Sequence, residues 1–408
     1  MRVLLTEGSS LTAREVVTCL GRTGHHIEVL DHDPMCLARF SRWVARLHRA
    51  PRSGDDPLGY LSVLESVVVD RGIDAVLPTH EQAWLLAAAQ PLLGAAVRTA
   101  VAPAGAFARV QSKLGFAQLL GELGLPQPRW WIVRSPEDLG DRPFPYWLKA
   151  PYSTAGQGVW RIVDAQSRDA ALAAHPLATP PLLAQQPAAG RYGQVEGVFA
   201  RGRLIAVHPS ELRGTGVGGS AAARLSVDHP LARRHIAEIG QVLGWHGGLT
   251  LDYLHEDGAP RYIECNARMV EPGNAVASGV NLPQLLLRLS VGERLPSMTQ
   301  VGRAGVRTHS AVALLLGRAD RDGSRRSLLG ELADAGLRRG LYAHSAEQLT
   351  PLLRDPPSAV AATYVIIRLL AAPAHAGQLA RRAVTGYSVG PDAVAQVLQR
   401  IGSRRAGA

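Results

Sequence analysis

Apolar residues fall in short runs separated by turn-forming clusters, and the spacing within the runs switches between strand-like and helix-like periods. Val3–Leu5 is a strand-like run, followed by Glu7-Gly8-Ser9-Ser10, then by helical spacing from Leu11 to Arg22. A second strand-like run, Ile27–Leu30, ends in Asp31 and in Asp33-Pro34. Helical spacing returns over Leu61–Arg71 and Glu81–Gln90, on either side of a predicted strand Ala75–Leu77. Strand and helix alternating in this way predict a parallel sheet, so residues 1–103 are expected to form an open α/β domain.

The pattern changes near Val101-Ala102-Pro103. Phe107–Leu123 reads as one helix carrying Lys113, halted by Gly-Leu-Pro-Gln-Pro at 124–128. Beyond it come strand Tyr146–Ala150, a glycine-containing loop at 153–158 and strand Val159–Val163. Further strands are predicted at Leu182–Ala184 and around Gln194–Val207, followed by a flexible stretch at 214–220. A helix over Leu231–Leu243, a hairpin over Leu249–Cys265 and a helix over Leu282–Leu289 complete a second domain, 104–298. Residues 299–408 are expected as a smaller mixed α/β lobe ending in a helix over Pro391–Ile401. Within it the apolar run Ala359–Pro373 contains Arg368 and is too short for a membrane span, so it reads as a buried strand or helix. The expected class is therefore α/β combined with α+β, without internal repeats.

The hairpin carries the clearest chemistry. Asp257-Gly258 marks its turn, and pairing His255 with Arg261 brings Asp252 directly opposite Glu264, with Asn266 on the same face. Two opposed carboxylates repel unless a cation or a proton lies between them. Two carboxylates and an amide oxygen are hard ligands of the kind magnesium takes, and Arg268 follows just past the strand, suited to a phosphoryl group. A solvated face with weakly repelling acids is the alternative.

Composition adds one strong bias. The chain holds 44 Lys plus Arg, of which only Lys113 and Lys149 are lysine. A lysine kept among so many arginines suits a place that needs a compact ammonium rather than a planar fork, although chance retention would look the same. Net charge is +10 with scattered arginines, which favours an anionic small substrate over a nucleic-acid groove. Cys19, Cys36 and Cys265 have no CxxC spacing, the histidines form no HExxH, and the start lacks the apolar core of a signal peptide. A cytoplasmic protein without membrane or nucleic-acid partners is expected.

YIECNAR at 262–268, LDYL at 251–254 and the two lysines together resemble the ATP-grasp superfamily, most of all its carboxylate-amine ligases and carbamoyl-phosphate-synthase-like branch. The resemblance spans about residues 1–298. It implies an ADP-forming ligase that uses ATP and two Mg2+ ions to activate a small carboxylate and join it to an amine; a homodimer is the expected assembly. By resemblance Lys113 and Lys149 contact the ATP phosphates, and Ser153, Thr154, Gly156 and Gly158 belong to a loop that folds over them within a lid region of about 149–190. Asp252, Glu264 and Asn266 match the metal ligands, and Arg268, with Lys149, matches the catalytic cations. Gln185, Gln186 and Ala188 match the hinge along adenine.

Some positions depart from the family pattern. Tyr192 stands where a ribose-binding acid is usual, and Glu196, on the same strand face, is the candidate substitute. Gln186 replaces a hinge glutamate, and Ala267 a proline. His80 and Glu81 follow a strand end and are candidate substrate contacts, with helix capping by Thr79 as the alternative. Arg213, Gly219 and Ser220 resemble a flexible segment that approaches the carboxylate substrate. Two other readings remain: a biotin-independent carboxylase or synthetase using carboxyphosphate, and a nucleotide-binding module without catalysis. A dinucleotide-dependent oxidoreductase is disfavoured because TEGSSLTARE lacks GxGxxG.

Overall fold

The computed structural model describes residues 1–153, 158–175, 181–256, 258–378 and 386–406. The first segment alternates as the pattern predicts: β1 Arg2–Leu5, α1 Leu11–Gly21, β2 His26–Asp31, β3 Val44–Arg49, α2 Pro57–Arg71, β4 Ala75–Leu77 and α3 Gln82–Ala89. The strands form a parallel sheet in the order β3-β2-β1-β4. β1 and β4 are apolar and buried along nearly their whole length, as strands covered on both faces must be. β3, VARLHR, escapes the sequence reading because it is a charged, half-exposed edge strand without an apolar run.

The predicted helix 107–123 is two helices, α4 Ala104–Val110 and α5 Lys113–Glu122. Ser112 separates them: its extended backbone ends the first helix, and its hydroxyl caps the second by accepting from the Gly115 N–H. Next come β5 Trp130–Val133, β6 Tyr146–Lys149, β7 Val159–Ile162, α6 Ala165–Ala174 and β8 Leu182–Gln185. These four strands make a small antiparallel sheet, β5-β8-β6-β7, with its own apolar core around Leu148, Ile162 and Leu182.

A larger sheet follows from β9 Arg191–Ala200, β10 Arg203–Thr215 and β11 Ala221–Ser226, then α7 Pro230–Val242, β12 Gly247–Glu256 and β13 Ala259–Asn266. The remaining elements are α8 Gly273–Ala277, α9 Leu282–Ser290, β14 Gln300–Val301, β15 Arg307–His309, α10 Ala311–Asp322, α11 Arg325–Gly336, β16 Ser345–Glu347, α12 Ser358–Ala371 and α13 Pro391–Ala406. Strand order is β13-β12-β9-β10-β11-β15-β16, with β14 beside β10. Thus β15 and β16, from the segment after residue 298, extend the sheet built by the preceding segment.

α13 returns to the first segment and packs on α2 and α3, where Val394 and Val397 share a core with Leu64 and Leu85. α12 answers the reading of Ala359–Pro373 as a buried element: it is a helix with Ala362 and Leu369 buried, but Val360, Tyr364 and Ile367 face outward. Among the described residues no helix is long and apolar enough to cross a membrane.

Candidate active site

The hairpin β12–β13 sets the centre of the site. Asp252 lies opposite Glu264 as the sequence predicts, but by a different route. Near the turn the pairs are His255–Pro260, Leu254–Arg261 and Tyr253–Tyr262, one residue off the predicted His255–Arg261 register. Pairing continues to Glu256–Ala259, beyond the predicted turn bounds Glu256–Pro260, and Asp257 lies outside the described residues. A bulge between Asp252 and Tyr253 absorbs the extra residue, Ile263, and restores the Asp252–Glu264 pair. The Ile263 carbonyl then lies 3.4 Å from Lys149 Nζ.

Both lysines reach this hairpin. Lys113 Nζ makes an ion pair of 3.0 Å with Glu264 and donates to the Ser153 hydroxyl and carbonyl at 3.0 and 3.1 Å. Lys113 opens α5, where a cation opposes the positive end of the helix dipole. Local preference has been overruled by the carboxylate ahead of it. Lys149 ends β6 and donates to Gln185 Oε1 at 2.6 Å. Burial lowers the Lys149 ammonium to a pKa of about 8, against the opposing pull of Glu264. Burial alone would raise Glu264, yet Lys113, Lys149 and Arg268 hold it below the ordinary carboxylate value. At Asp252, burial with the Glu264 charge outweighs the bonds from Gln194 and Tyr192 and the pull of Arg224, and pushes the carboxyl up to about 6.

Around Asp252 the polar contacts form a continuous line. Gln194 Nε2 donates to Asp252 Oδ1 at 2.8 Å, Asn266 Nδ2 donates to Oδ2 at 3.1 Å, and the Tyr192 hydroxyl also bonds this carboxylate. Arg268 extends from Asn266 to His80, with its guanidinium 2.9 Å from His80 Nε2. His80 is buried, and desolvation with the Arg268 charge keeps its pKa well below the usual imidazole value. Its ring packs 4.4 Å from that of Tyr387, which the C-terminal segment brings across. At the other end Gln194 Oε1 accepts from Arg224 at 2.8 Å, and Arg224 pairs with Glu271 at 3.2 Å.

Other candidate residues are placed less centrally. Gly158 has φ +69 and closes the loop onto Ala150, whose N–H donates to the Gly158 carbonyl at 2.7 Å. Thr154 and Gly156 lie outside the described residues. Gln186 and Ala188 occupy the irregular link between β8 and β9, and the Gln185 side chain is engaged by Lys149. Glu196 is not near that link: it lies six residues beyond Gly190 along β9, about 20 Å at 3.3 Å per residue. Glu81 accepts from the Val389 N–H at 2.9 Å, and Thr79 bonds Glu7 through its hydroxyl instead of capping α3. Arg213 pairs with Glu211, whose partner Gly193 faces away from Gln194 and Asp252, so it shares the opposite face of the sheet. Gly219 and Ser220 sit in the β10–β11 turn beside α10.

No protein-family model and no curated protein sequence matches the chain. Solved structures do. N5-carboxyaminoimidazole synthetase from Staphylococcus aureus, complexed with ADP, aligns over 82% of this chain and 86% of its own at 13% identity, with a TM-score of 0.60. The biotin carboxylase domain of Hydrogenobacter thermophilus 2-oxoglutarate carboxylase, in complex with MgADP, ADP and bicarbonate, aligns over 75% and 73% at 14% identity, with a TM-score of 0.58. The L-amino acid ligase from Bacillus licheniformis aligns over 71% and 74% at 18% identity, with a TM-score of 0.52.

The chain has the ATP-grasp fold. In this fold the small antiparallel sheet carries Lys149, and the large sheet carries Asp252, Glu264 and Asn266. Gln194 and Arg224 escaped sequence reasoning. Period two along β9 from Tyr192 and Glu196 points to Gln194, whereas nothing local marks Arg224.

Proposed function

We propose that this protein is an ADP-forming ligase that phosphorylates a small carboxylate with ATP and couples the acyl-phosphate to an amine, giving an amide. The observation that carries this reading is the meeting of the only two lysines of the chain at Glu264, directly across a hairpin from Asp252. Asp252, Glu264 and the Asn266 amide are oxygen donors that would hold Mg2+, which when bound would offset the charge of the ATP phosphates.

The chain's own part is to position and neutralise. The Lys113 and Lys149 ammonium groups lie in the face of the site and would meet the α- and β-phosphates. An arriving phosphate competes with Ser153 and Gln185 for those protons, so loop and hinge respond to nucleotide through the same two side chains. Arg268, braced by His80 and Asn266, directs its guanidinium to where charge builds on the acyl-phosphate oxygens. No side-chain nucleophile is required, because the acid attacks the γ-phosphorus directly and the amine then displaces phosphate.

Incubation of the protein with ATP, Mg2+, hydroxylamine and a panel of amino acids and related acids tests the reading. A hydroxamate formed together with ADP supports it and identifies the acid; tight ATP binding with no ADP from any acid refutes it. A second reading makes bicarbonate the activated acid, favoured by the carboxylases and carboxyaminoimidazole synthetases among the structural neighbours. ADP release that depends on added bicarbonate and on no other acid selects it.

A further inference from the structure

At the far end of the polar line from Arg268, three carboxylates converge on one guanidinium. Glu196 comes from β9, Glu15 from α1 of the first segment, and Glu271 from the link after β13. All three interact electrostatically with Arg224. Arg224 gives its direct hydrogen bonds to Gln194 and Glu271, and Glu15 accepts from the Gly273 N–H at 2.8 Å, so Glu196 Oε2 is left without a direct partner among the described residues. His208, opposite Glu196 in the β9–β10 ladder, does not supply one: burial lowers its pKa to about 4, and its Nε2 is engaged by Asn274.

Glu196 is the informative member. Its side chain is 3% exposed, and its Oε2 is buried without a hydrogen-bond partner. A buried carboxylate oxygen left unpaired is costly in free energy, so such an atom points to a ligand donor. Burial pushes Glu196 well above the ordinary carboxylate pKa, and burial with the Glu271 charge raises Glu15 to about 8. Glu271 itself holds φ +47, a left-handed backbone in a residue with a side chain. Its side chain stays partly exposed, which leaves the cluster a route to solvent. Through Gln194 the cluster is one side chain away from Asp252.

We propose that Glu15, Glu196 and Glu271, beside Arg224, form a subsite for the primary ammonium group of a substrate. This rests on the ligase reading for its place in catalysis, though not for the binding itself. The ammonium belongs either to an amino acid serving as the activated acid or to the amine that accepts the acyl group. Three N–H donors of an ammonium satisfy the Glu196 oxygen and share its neighbours, while Arg224 remains to pair with a carboxylate nearby.

The test compares the full-length protein with its Glu196→Gln variant, which keeps shape and removes charge; Glu15→Gln serves if the first variant does not fold. Hydroxamate formation at varied acid gives the KM of the acid, and ADP release at varied amine gives that of the acceptor. One of the two is expected to rise by about tenfold or more in the variant, as loss of a charged hydrogen bond implies, and the one that rises identifies which substrate carries the ammonium. Unchanged values for both overturn the subsite, as does equal use of amino acids and their desamino analogues together with an unchanged acceptor KM. A rise confined to the KM for ATP overturns it too, and returns Glu196 to the ribose. If no acid yields ADP, the ligase reading falls and the subsite is decided by titration with ethylammonium chloride against sodium chloride. Saturable binding by the unsubstituted protein that is lost in the variant supports it, and absence of binding overturns it.

Discussion

Buried beside Glu264, the Asp252 carboxyl sits at a pKa of about 6, above its ordinary 3.8. A raised carboxylate pKa means that the folded protein favours the protonated form, so this stability is fully present below about pH 4 and lost as pH rises through 6. Asp252→Asn is therefore expected to stabilise the metal-free protein above pH 6 by about 1–3 kcal/mol while abolishing magnesium-dependent ADP release, as thermal unfolding and ADP assays would show. An unchanged or lowered melting temperature at pH 7.5 would contradict the account. Lys149 shifts the other way, from 10.5 to about 8, because burial disfavours its charge. The destabilisation from holding it charged is present below pH 8 and fades as pH rises towards 10.5, and in the proposed role its grip on phosphate fades with it. kcat/KM for ATP should fall about tenfold per pH unit above 8, and Lys149→Arg should raise the KM for ATP or abolish turnover without unfolding the protein. A flat profile up to pH 9.5 would remove Lys149 from the phosphates. These residues were legible because a turn fixes what lies across a hairpin and because lysine is rare in this chain. Arg224 was not, since its place depends on which strands neighbour β9 and β10, and pairing between distant segments leaves no local trace.

Among elements, β13 shows how a wrong register can still yield the right pair. The bulge at Ile263 was invisible in an alternating run, yet it compensates for a turn shorter than the one read from Asp257-Gly258, and it leaves a carbonyl free to face Lys149. The link from β8 to β9 is similarly constrained. Gly190 has φ +104, and a Cβ there would stand 2.2 Å from the His255 carbonyl oxygen. Gly190→Ala should destabilise the protein by about 1–3 kcal/mol or more and weaken ATP binding, measured by denaturant unfolding and nucleotide titration. Loss of neither would mean that the link can move away from β12. Capping chemistry explains the split between α4 and α5: Ser112 was embedded in a run whose apolar spacing continued through it.

The whole molecule is tied together by contacts between its first and last segments, which no window of sequence could reveal. Arg14 of α1 and Asp355 form a fully buried pair at 2.5 Å, and the same carboxylate accepts from the Ser41 hydroxyl and the Arg42 N–H. Asp355→Ala leaves a buried guanidinium without its counterion, with an expected loss of about 3–5 kcal/mol in reversible unfolding. A loss under about 1 kcal/mol would show that water or a shift of α1 replaces the carboxylate. Tyr387 and Val389 make the other tie, one against His80, which Arg268 contacts, and one through Glu81. During synthesis the two lysines, the hairpin and Arg268 all leave the ribosome before this segment does. If these groups handle phosphate as proposed, a nascent chain assembles them early, yet the wall behind Arg268 closes only when residues 386–389 arrive, so ATP turnover should begin late in translation and any partial product released before that point should be inert.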